Sequence, residues 1–241
     1  INILVIITVI AFFIASYIYT PFPKSYGVDV ANPNRKMIAL TFDDGPSDYT
    51  QTLLDGLKQK GAKATFFVLG KKAMKNADTL KNIVADGHLL GNHTYTHIDM
   101  MKTSKNVIKE QIYSTNKVIK DITGIDVKFY RPPHGHYFGD TLNAIDDMIA
   151  VKWSNDSIDW KHQDENYVYN YIINKAHDGE ILLLHDTKEI TVKAALRAID
   201  TLEAQAYSFV RVDELLCRNG DKLAPGIAYR GCKMNKKPTW F

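Results

Sequence analysis

Residues 37–47, MIALTFDDGPS, join an uninterrupted apolar run to an abrupt polar turn, and this pattern decides the fold class. The apolar run at 37–42 has the length and composition of a buried strand. The turn that follows holds Gly45 and Pro46, two residues that interrupt regular structure. The sequence therefore predicts a buried strand that ends directly at a pair of aspartates.

The same alternation of short apolar runs and longer amphipathic stretches continues along the chain. A helix is predicted at 50–60, because Leu53, Leu54 and Leu57 share one face. The other predicted helices are 77–86, 105–123, 140–150, 166–176 and 191–206, and the other predicted strands are 64–69, 88–91, 128–131, 148–154, 180–184 and 207–212. This order implies parallel strands with helices outside. About seven such units predict an α/β barrel, complete or incomplete, rather than an open doubly wound sheet.

Composition and charge restrict the class of protein. The chain has 241 residues, of which 45% are hydrophobic and 24% charged, as in one globular domain. The formal net charge is only +3, and no basic stripe is present, so nucleic acid is not an expected partner. The only two cysteines, Cys217 and Cys232, are too few for a thiolate metal cage. Any metal must therefore be bound by histidines and carboxylates.

The first twenty residues, INILVIITVIAFFIASYIYT, differ from the rest because they carry no charge. Twenty apolar residues are about enough to span a bilayer as a helix. We expect residues 1–20 to be an uncleaved membrane anchor that leaves the catalytic domain outside the cytoplasm. The alternative is a cleaved signal peptide and a secreted protein, although residues 15–17 (ASY) make a poor cleavage site. Residues 21–36 are then a linker.

The C-terminal residues 217–241 are predicted to form a tail that packs on the domain. Both cysteines lie in this tail. If the domain is exported, an oxidising compartment makes a disulfide between Cys217 and Cys232 plausible. No internal repeat, low-complexity segment, P-loop or GxGxxG motif is present, which argues against nucleotide binding.

Polar side chains follow the ends of the predicted strands at regular intervals. In a parallel barrel the carboxyl ends of all strands share one face, where catalytic groups collect. The residues in question are Asp43-Asp44, Asn92-His93, Arg131, residues 156–160 and His185-Asp186. Random surface polarity would not fall at these positions so regularly, so we predict the functional site there.

Two of these motifs contain candidate metal ligands. In HTYTH, His93 and His97 are four residues apart, and a helical turn would place them on one face for one ion. Thr94 stands where a zinc protease would have its glutamate, so a carboxylate must come from elsewhere. TFDDGPS offers Asp43 and Asp44: one as a third ligand, leaving an open position for water, and one to act on that water. In isolation, the first motif also fits ordinary histidines, and the second fits an Asx turn.

Three further motifs are ambiguous by themselves. RPPHG, from Arg131 to Gly135, is a rigid loop that carries a permanent cation, or simply a structural turn. NDSIDW, residues 155–160, offers two carboxylates and a tryptophan that could stack on a sugar, or a capped turn with a core tryptophan. LLLHD places His185 at the end of a buried strand, where a lone histidine is more often structural.

Together, in this order, TFDDGPS, HTYTH, RPPHG, DSIDW and LLLHD resemble the polysaccharide deacetylases, also called the NodB-homology domain or carbohydrate esterase family four. The resemblance covers residues 37–216. It implies a distorted (β/α)7 barrel, which agrees with the predicted order of strands and helices, preceded here by the N-terminal hydrophobic helix. It also implies hydrolysis of acetyl groups on a polysaccharide.

The resemblance assigns roles to individual residues. Asp44, His93 and His97 match the ligands of one divalent ion, usually zinc, although cobalt or another ion is possible. Asp43 matches the general base and Arg131 the cation that holds it. His185 matches the general acid that protonates the leaving amine, and Asp159 the carboxylate that orients this histidine. The positions implied in substrate binding are Pro133, His134, Trp160 and Leu183.

The sequence departs from the family at His134, where a tyrosine is common. The backbone N–H at that position stabilises the oxyanion in the family, and a backbone donor survives the change of side chain. The roles of His134 and His136 stay open. The expected substrate is N-acetylglucosamine in peptidoglycan, and the partners are this cell-wall glycan and the membrane, with no protein partner evident. The alternatives are N-acetylmuramic acid, chitin-type oligomers, acetylated xylan, or a glycan-binding homologue without activity.

Overall fold

Strand β1 (Lys36–Asp43) lies inside a parallel sheet in the computed structural model, which describes residues 35–231. The sheet order is β6-β7-β1-β2-β3-β4-β5-β9, and β8 pairs with the first residues of β1. All pairings between these strands are parallel. The other strands are β2 (Thr65–Val68), β3 (Leu89–Asn92), β4 (Phe129–Tyr130), β5 (Ile149–Val151), β6 (Asn155–Asp156), β7 (Ile181–His185), β8 (Tyr207–Phe209) and β9 (Ala228–Tyr229).

Helices connect the strands, as the alternation in the sequence predicts. The helix α1 buries Leu53, Leu54 and Leu57, the three residues expected on its inner face. Two 3-10 turns, at Met100–Lys102 and Pro133–Gly135, precede helices at the carboxyl ends of β3 and β4. The helices are α1 (Thr50–Gln59), α2 (Gly70–Ala73), α3 (Ala77–Ala85), α4 (Lys105–Thr123), α5 (Gly139–Ala144), α6 (Glu165–Lys175), α7 (Glu189–Glu203) and α8 (Val212–Leu216).

The sheet curls on itself through the segment that contains β5 and β6. Strand β5 pairs with β4 and β9, whereas β6 pairs with β7 at the other end of the sheet. Only residues 152–154 separate β5 from β6. Four residue steps span at most about 14 Å, so the two ends of the sheet must lie close together. The fold is thus α/β with a curled parallel sheet, which fits the expected distorted barrel.

Successive side chains of a buried strand belong to two different apolar clusters, because they point to opposite faces of the sheet. On β1, Met37 and Ala39 belong to one cluster, and Ile38 and Leu40 belong to the larger cluster that also includes residues from the helices. This burial on both faces explains why the strand is apolar throughout. Because all these strands are parallel, their carboxyl ends, and the polar residues at those ends, lie along one edge of the sheet.

Three local predictions are wrong. The predicted helix 140–150 ends at Ala144, because Ile149–Val151 instead pair with β4 and β9. The predicted strand 207–212 ends at Phe209, because its partner segment in β1 is only three residues long, and α8 begins at Val212. HTYTH is not helical: it lies in a loop in which Thr94 and His97 have positive φ angles.

Some predictions fall outside the described residues, namely the hydrophobic segment 1–20, nearly all of the linker 21–36, and Cys232. Among residues 35–231, no helix combines the length and apolar character needed to cross a bilayer. Part of the predicted tail is described: Ala228–Tyr229 pairs with β5, and Gly231 bridges Glu180. The sheet therefore extends beyond residue 216.

Candidate active site

Three donor side chains converge at the carboxyl ends of β1 and β3. The Oδ1 atom of Asp44 lies 3.6 Å from Nε2 of His93 and 3.4 Å from Nε2 of His97. Asp44, His93 and His97 are the one group of three or more histidine, cysteine or acidic side chains within residues 35–231 whose ligand atoms all lie within 4.8 Å of one another. The prediction of one shared site for these residues therefore agrees with the structure, although a loop and not a helix brings the histidines together.

The loop that carries the histidines is held by side chains from neighbouring elements. The Asn92 side chain accepts a hydrogen bond from the backbone N–H of Thr94 at 2.7 Å. The amide oxygen of Gln111, on α4, accepts hydrogen bonds from the backbone N–H groups of Tyr95 and Thr96 at 3.0 and 2.8 Å. These contacts hold the backbone in the left-handed conformation that turns His97 back toward His93.

His93 is oriented as a ligand before any ion binds. Its Nδ1 lies 2.8 Å from the backbone oxygen of Arg131, so this nitrogen carries the proton and donates it to the carbonyl. The Nε2 lone pair is then directed at Asp44. Burial lowers the pKa of His93 to about 3, which keeps the ring neutral, as a metal ligand must be. A second hydrogen bond of this kind is usual for histidine ligands.

The unpaired oxygen of Asp44 is the strongest indication that this group binds a cation. Within residues 35–231, its Oδ1 is buried and has no hydrogen-bond partner. A buried carboxylate oxygen without a donor is costly, and a cation between it and two imidazole nitrogens would remove that cost. One oxygen and two nitrogens fit a catalytic zinc site with an open fourth position.

Asp43 lies beside this group and is bound by Arg131. Its Oδ1 accepts a hydrogen bond from Nη1 of Arg131 at 2.7 Å, and its Oδ2 lies 3.6 Å from Nε2 of His93. Burial raises the pKa of Asp43, and the nearby guanidinium opposes that rise. Such a carboxylate is suited to accept a proton from a water molecule in the site.

Arg131 is completely buried and is held on all sides. It donates hydrogen bonds to Oγ1 of Thr41 at 2.8 Å and to the backbone oxygens of Val151 and Lys152 at 3.2 and 2.8 Å. Its guanidinium carbon lies 4.1 Å from the centre of the Phe67 ring. The guanidinium therefore has a single position, and Asp43 is oriented by it.

A second acid–base pair stands at the end of β7. The Nδ1 atom of His185 lies 2.7 Å from Oδ1 of Asp159, and the backbone N–H of His185 donates to Oδ2 at 2.8 Å. Burial disfavours the charged imidazole, but the hydrogen bond and charge of Asp159 outweigh it and raise the pKa of His185 to about 9. His185 is thus protonated at neutral pH, as a general acid must be. Thr191 donates a hydrogen bond to Asp159 at 2.9 Å, and Lys188 donates to its backbone oxygen at 2.9 Å.

One cavity of about 410 Å³ connects the two pairs. We call it the catalytic cavity; its lining residues are Asp43, Asp44, His93, His97, His134, Trp153, Asp156, Trp160, Leu183 and His185. Of the predicted substrate-binding residues, His134, Trp160 and Leu183 line it, and Trp160 is 57% exposed. Pro133 is buried in the turn before His134 and is not a lining residue.

Two lining residues, Trp153 and Asp156, have no role assigned from the sequence. Asp156 lies within the NDSIDW motif, at the predicted functional face, but the motif alone does not indicate what its side chain does. Trp153 lies between β5 and β6, where the curl of the sheet turns its ring toward the catalytic cavity. The apolar pattern of 148–154 predicts a strand but does not indicate this curl.

The sequence is similar to known polysaccharide deacetylases, as the motifs predict. A family model described as polysaccharide deacetylase matches residues 30–149. A peptidoglycan-N-acetylglucosamine deacetylase of Bacillus cereus is 34% identical over 193 residues, which cover 78% of this chain and 70% of that protein. A peptidoglycan-N-acetylmuramic acid deacetylase of Bacillus subtilis is 36% identical over 194 residues, which cover 80% of this chain but 41% of that protein.

A solved structure agrees with the fold. A T48 deacetylase, described with its substrate, superposes with a TM-score of 0.79 and 37% sequence identity. The match covers 84% of this chain and all of the other.

Proposed function

The chain belongs to the polysaccharide deacetylase family, whose members are carbohydrate deacetylases, and from that premise we propose that it hydrolyses the acetamide of N-acetylglucosamine in peptidoglycan with one divalent ion. The observation that carries the proposal is the placement of two different acid–base pairs around one candidate metal site. The catalytic cavity is lined by Asp43 and His185 as well as by Asp44, His93 and His97. Arg131 binds Asp43, and Asp159 binds His185.

Asp44, His93 and His97 would hold the ion, for which zinc is the first choice because two imidazoles and one carboxylate leave an open position. When bound, such an ion acidifies water and polarises the acetyl carbonyl. His93 is oriented by the protein alone, since its Nδ1 donates a hydrogen bond to the backbone oxygen of Arg131.

Asp43 takes the proton from the attacking water. Its raised pKa makes it a stronger base than a free aspartate, and Arg131 holds the oxygen that does not face His93. The other carboxylate oxygen is left for the water. Attack by the resulting hydroxide places negative charge on the acetyl oxygen, which the backbone N–H of His134 would help to stabilise.

His185 then gives its proton to the sugar nitrogen, so that the C–N bond breaks and acetate and a free amine are released. Amines are poor leaving groups unless they are protonated, so this step requires an acid that stays charged near neutral pH. The Asp159 carboxylate satisfies that requirement, because it raises the pKa of His185 to about 9.

The choice of peptidoglycan rests on the relatives and on the predicted anchor at 1–20. The Bacillus cereus relative is named for N-acetylglucosamine and the Bacillus subtilis relative for N-acetylmuramic acid, at similar identities of 34% and 36%. The proposal takes N-acetylglucosamine, and N-acetylmuramic acid is the alternative. A tether would hold the domain at the outer face of the cell membrane, near newly made wall glycan.

The test treats purified peptidoglycan, chitotetraose and acetylated xylan separately with the protein and with its Asp43→Asn variant. The products are digested to single sugars and analysed by mass spectrometry. Glucosamine from peptidoglycan, formed only by the unmodified protein, is the expected result. Loss of acetyl from muramic acid alone would support the alternative, and loss from chitotetraose or xylan without any from peptidoglycan would contradict the wall substrate.

A further inference from the structure

A second cavity, of about 590 Å³, lies beside the catalytic cavity and has no role in the reaction described above. We call it the distal cavity; its lining residues are Met100, Thr103, Ser104, Lys105, Phe138, Gly139, Asp140 and Thr141. These residues come from two connections, the one from β3 to α4 and the one from β4 to α5. Both connections leave the carboxyl ends of strands, so both cavities open on the same face of the barrel.

A row of imidazole rings joins the two cavities. The ring of His134 lies 4.7 Å from that of His97 and 5.5 Å from that of His136, measured between ring centres. His136 in turn contacts Asp99, with 3.3 Å between Nδ1 and Oδ2. Asp99 caps the turn that begins at Met100, a lining residue of the distal cavity. Since His97 and His134 line the catalytic cavity, the row leads directly from one cavity to the other.

The lining of the distal cavity has the chemistry of a sugar site. Phe138 is 46% exposed, although a phenylalanine gains more free energy by burial. Lys105 and Asp140 form an exposed ion pair at 3.2 Å, which offers both donors and acceptors. An exposed aromatic ring next to a few polar groups suits a pyranose, which has an apolar face and a rim of hydroxyl groups. Because the two charges compensate each other, the distal cavity does not select for an anion.

We propose that the distal cavity binds a further sugar unit of the same glycan chain whose acetamide lies in the catalytic cavity. The inference rests on the proposed function, since it assumes a glycan substrate. The occupant follows from continuity: a polymer that lies in the catalytic cavity and extends along His134 and His136 reaches Phe138 next. Phe138 provides the stacking surface, and Lys105 and Asp140 contact hydroxyl groups.

The experiment uses peptidoglycan glycan fragments of increasing length, from two to six sugars. For the unmodified protein, kcat/KM should increase with length once a sugar reaches the distal cavity. Phe138→Ala should reduce kcat/KM for the long fragments about fivefold, through KM, because an aromatic contact contributes on the order of 1 kcal/mol and 1.4 kcal/mol corresponds to tenfold. Hydrolysis of the two-sugar fragment should stay the same.

A matched control is Ile125→Ala. Ile125 is also an exposed apolar residue, but it precedes β4 and therefore lies at the opposite face of the barrel. The control variant should behave as the unmodified protein at every fragment length. Phe138→Ala is expected to fold normally, because the helix α5 uses only the backbone oxygen of Phe138, which accepts a hydrogen bond from Thr141 at 2.9 Å.

Two results would overturn the inference: a flat dependence on length, or equal losses in Phe138→Ala for short and long fragments. Calorimetric binding of the six-sugar fragment to Asp43→Asn, with and without Phe138→Ala, gives a measurement that does not depend on turnover. An unchanged affinity in the double variant would also overturn it. If the unmodified protein hydrolyses no fragment at all, the proposed function fails, and binding alone then decides whether the distal cavity takes a sugar.

Discussion

Asp44, His93 and His97 are proposed to bind one cation together, so removal of one of these side chains should release the ion. His93→Ala should reduce the bound metal from about one ion per chain to a small fraction after dialysis, as measured by atomic emission. His177→Ala is the control, because His177 is exposed and lies before β7, at the opposite face of the barrel. Equal metal content in His93→Ala and the unmodified protein would show that the ion binds elsewhere.

Asp43 is predicted to act on water and not to hold the metal. Asp43→Asn should therefore keep its ion and lose roughly two or more orders of magnitude in kcat, the usual contribution of a general base. The amide can still accept the hydrogen bond from Arg131, so the local packing should be conserved. Turnover and metal content are measured on the same preparation. Near-normal turnover would mean that another group activates the water.

His185 and Asp159 predict how activity depends on pH. The pKa of His185 in the folded protein is about 9, above its ordinary value of 6.5, so the imidazole stays charged at neutral pH and loses its proton as the pH rises through 9. The contribution of this charged group to the free energy of unfolding is complete below pH 6.5 and is lost as the pH rises through 9. Activity that needs this acid should fall on the alkaline side near pH 9. In Asp159→Asn the fall should move toward lower pH, because the carboxylate that raises the pKa of His185 is gone. A pH profile of kcat/KM with an unmoved alkaline limb would contradict this assignment.

Strand β3 supports the site through close packing. A methyl group added at Gly91 would lie 2.4 Å from the ring of Phe67, and this ring contacts the guanidinium of Arg131. Gly91→Ala should therefore destabilise the protein by about 1–3 kcal/mol and also reduce kcat, because Arg131 is displaced. Gly124→Ala meets no atom within 4 Å but has a positive φ, so it should cost about 1 kcal/mol with normal kcat. Unfolding in urea and turnover, measured on both variants, separate the two effects. If Gly91→Ala retains full kcat, Phe67 does not position Arg131.

Helix α4 was predicted with the correct ends, whereas α5 was not, and the reason is local. The helix α4 ends at Gly124, which has a positive φ of 76°. A glycine after an amphipathic run is a helix end that can be recognised in the sequence, because glycine adopts this conformation easily. After Ala144 no such signal precedes β5. The apolar residues from 148 onward fit a buried helix and a buried strand equally well, and only pairing with β4 and β9 decides between them.

The HTYTH loop shows where a correct conclusion rested on a wrong intermediate. Spacing of four predicts two histidines on one helical face, yet positive φ angles at Thr94 and His97 bring the same two rings together in a loop. The contacts that stabilise this loop come from Gln111, which is distant in the sequence. Local spacing could identify the two histidines as neighbours but not the backbone conformation that brings them together.

For the molecule as a whole, the rule that strand ends share a face predicted most of the site. Asp43, His93 and His185 follow β1, β3 and β7, and they meet in one cavity as expected. The rule could not predict Trp153, because the curl between β5 and β6 depends on long-range pairing with β7 and β9. Nor could it predict the distal cavity, which lies between two irregular connections.

The predicted anchor at 1–20 has a consequence for the whole chain when it is produced in cells. The full chain should sediment with membranes and be released by detergent but not by high salt, because a hydrophobic helix is not held by charge. An otherwise identical chain that starts at residue 35 should remain in the supernatant. Recovery of a shortened, active protein from the medium would favour the cleaved signal peptide instead.

Arg131 couples the activity of the enzyme to the closure of the curled sheet. One guanidinium binds β1 through Thr41 and Asp43 and, at the same time, the backbone oxygens of Val151 and Lys152 at the curl of the sheet. If the curl opened slightly, the cation would move and Asp43 would lose its orientation while most of the core stayed packed. At moderately raised temperature or low urea concentration, kcat should therefore fall reversibly before the circular dichroism signal shows any loss of secondary structure.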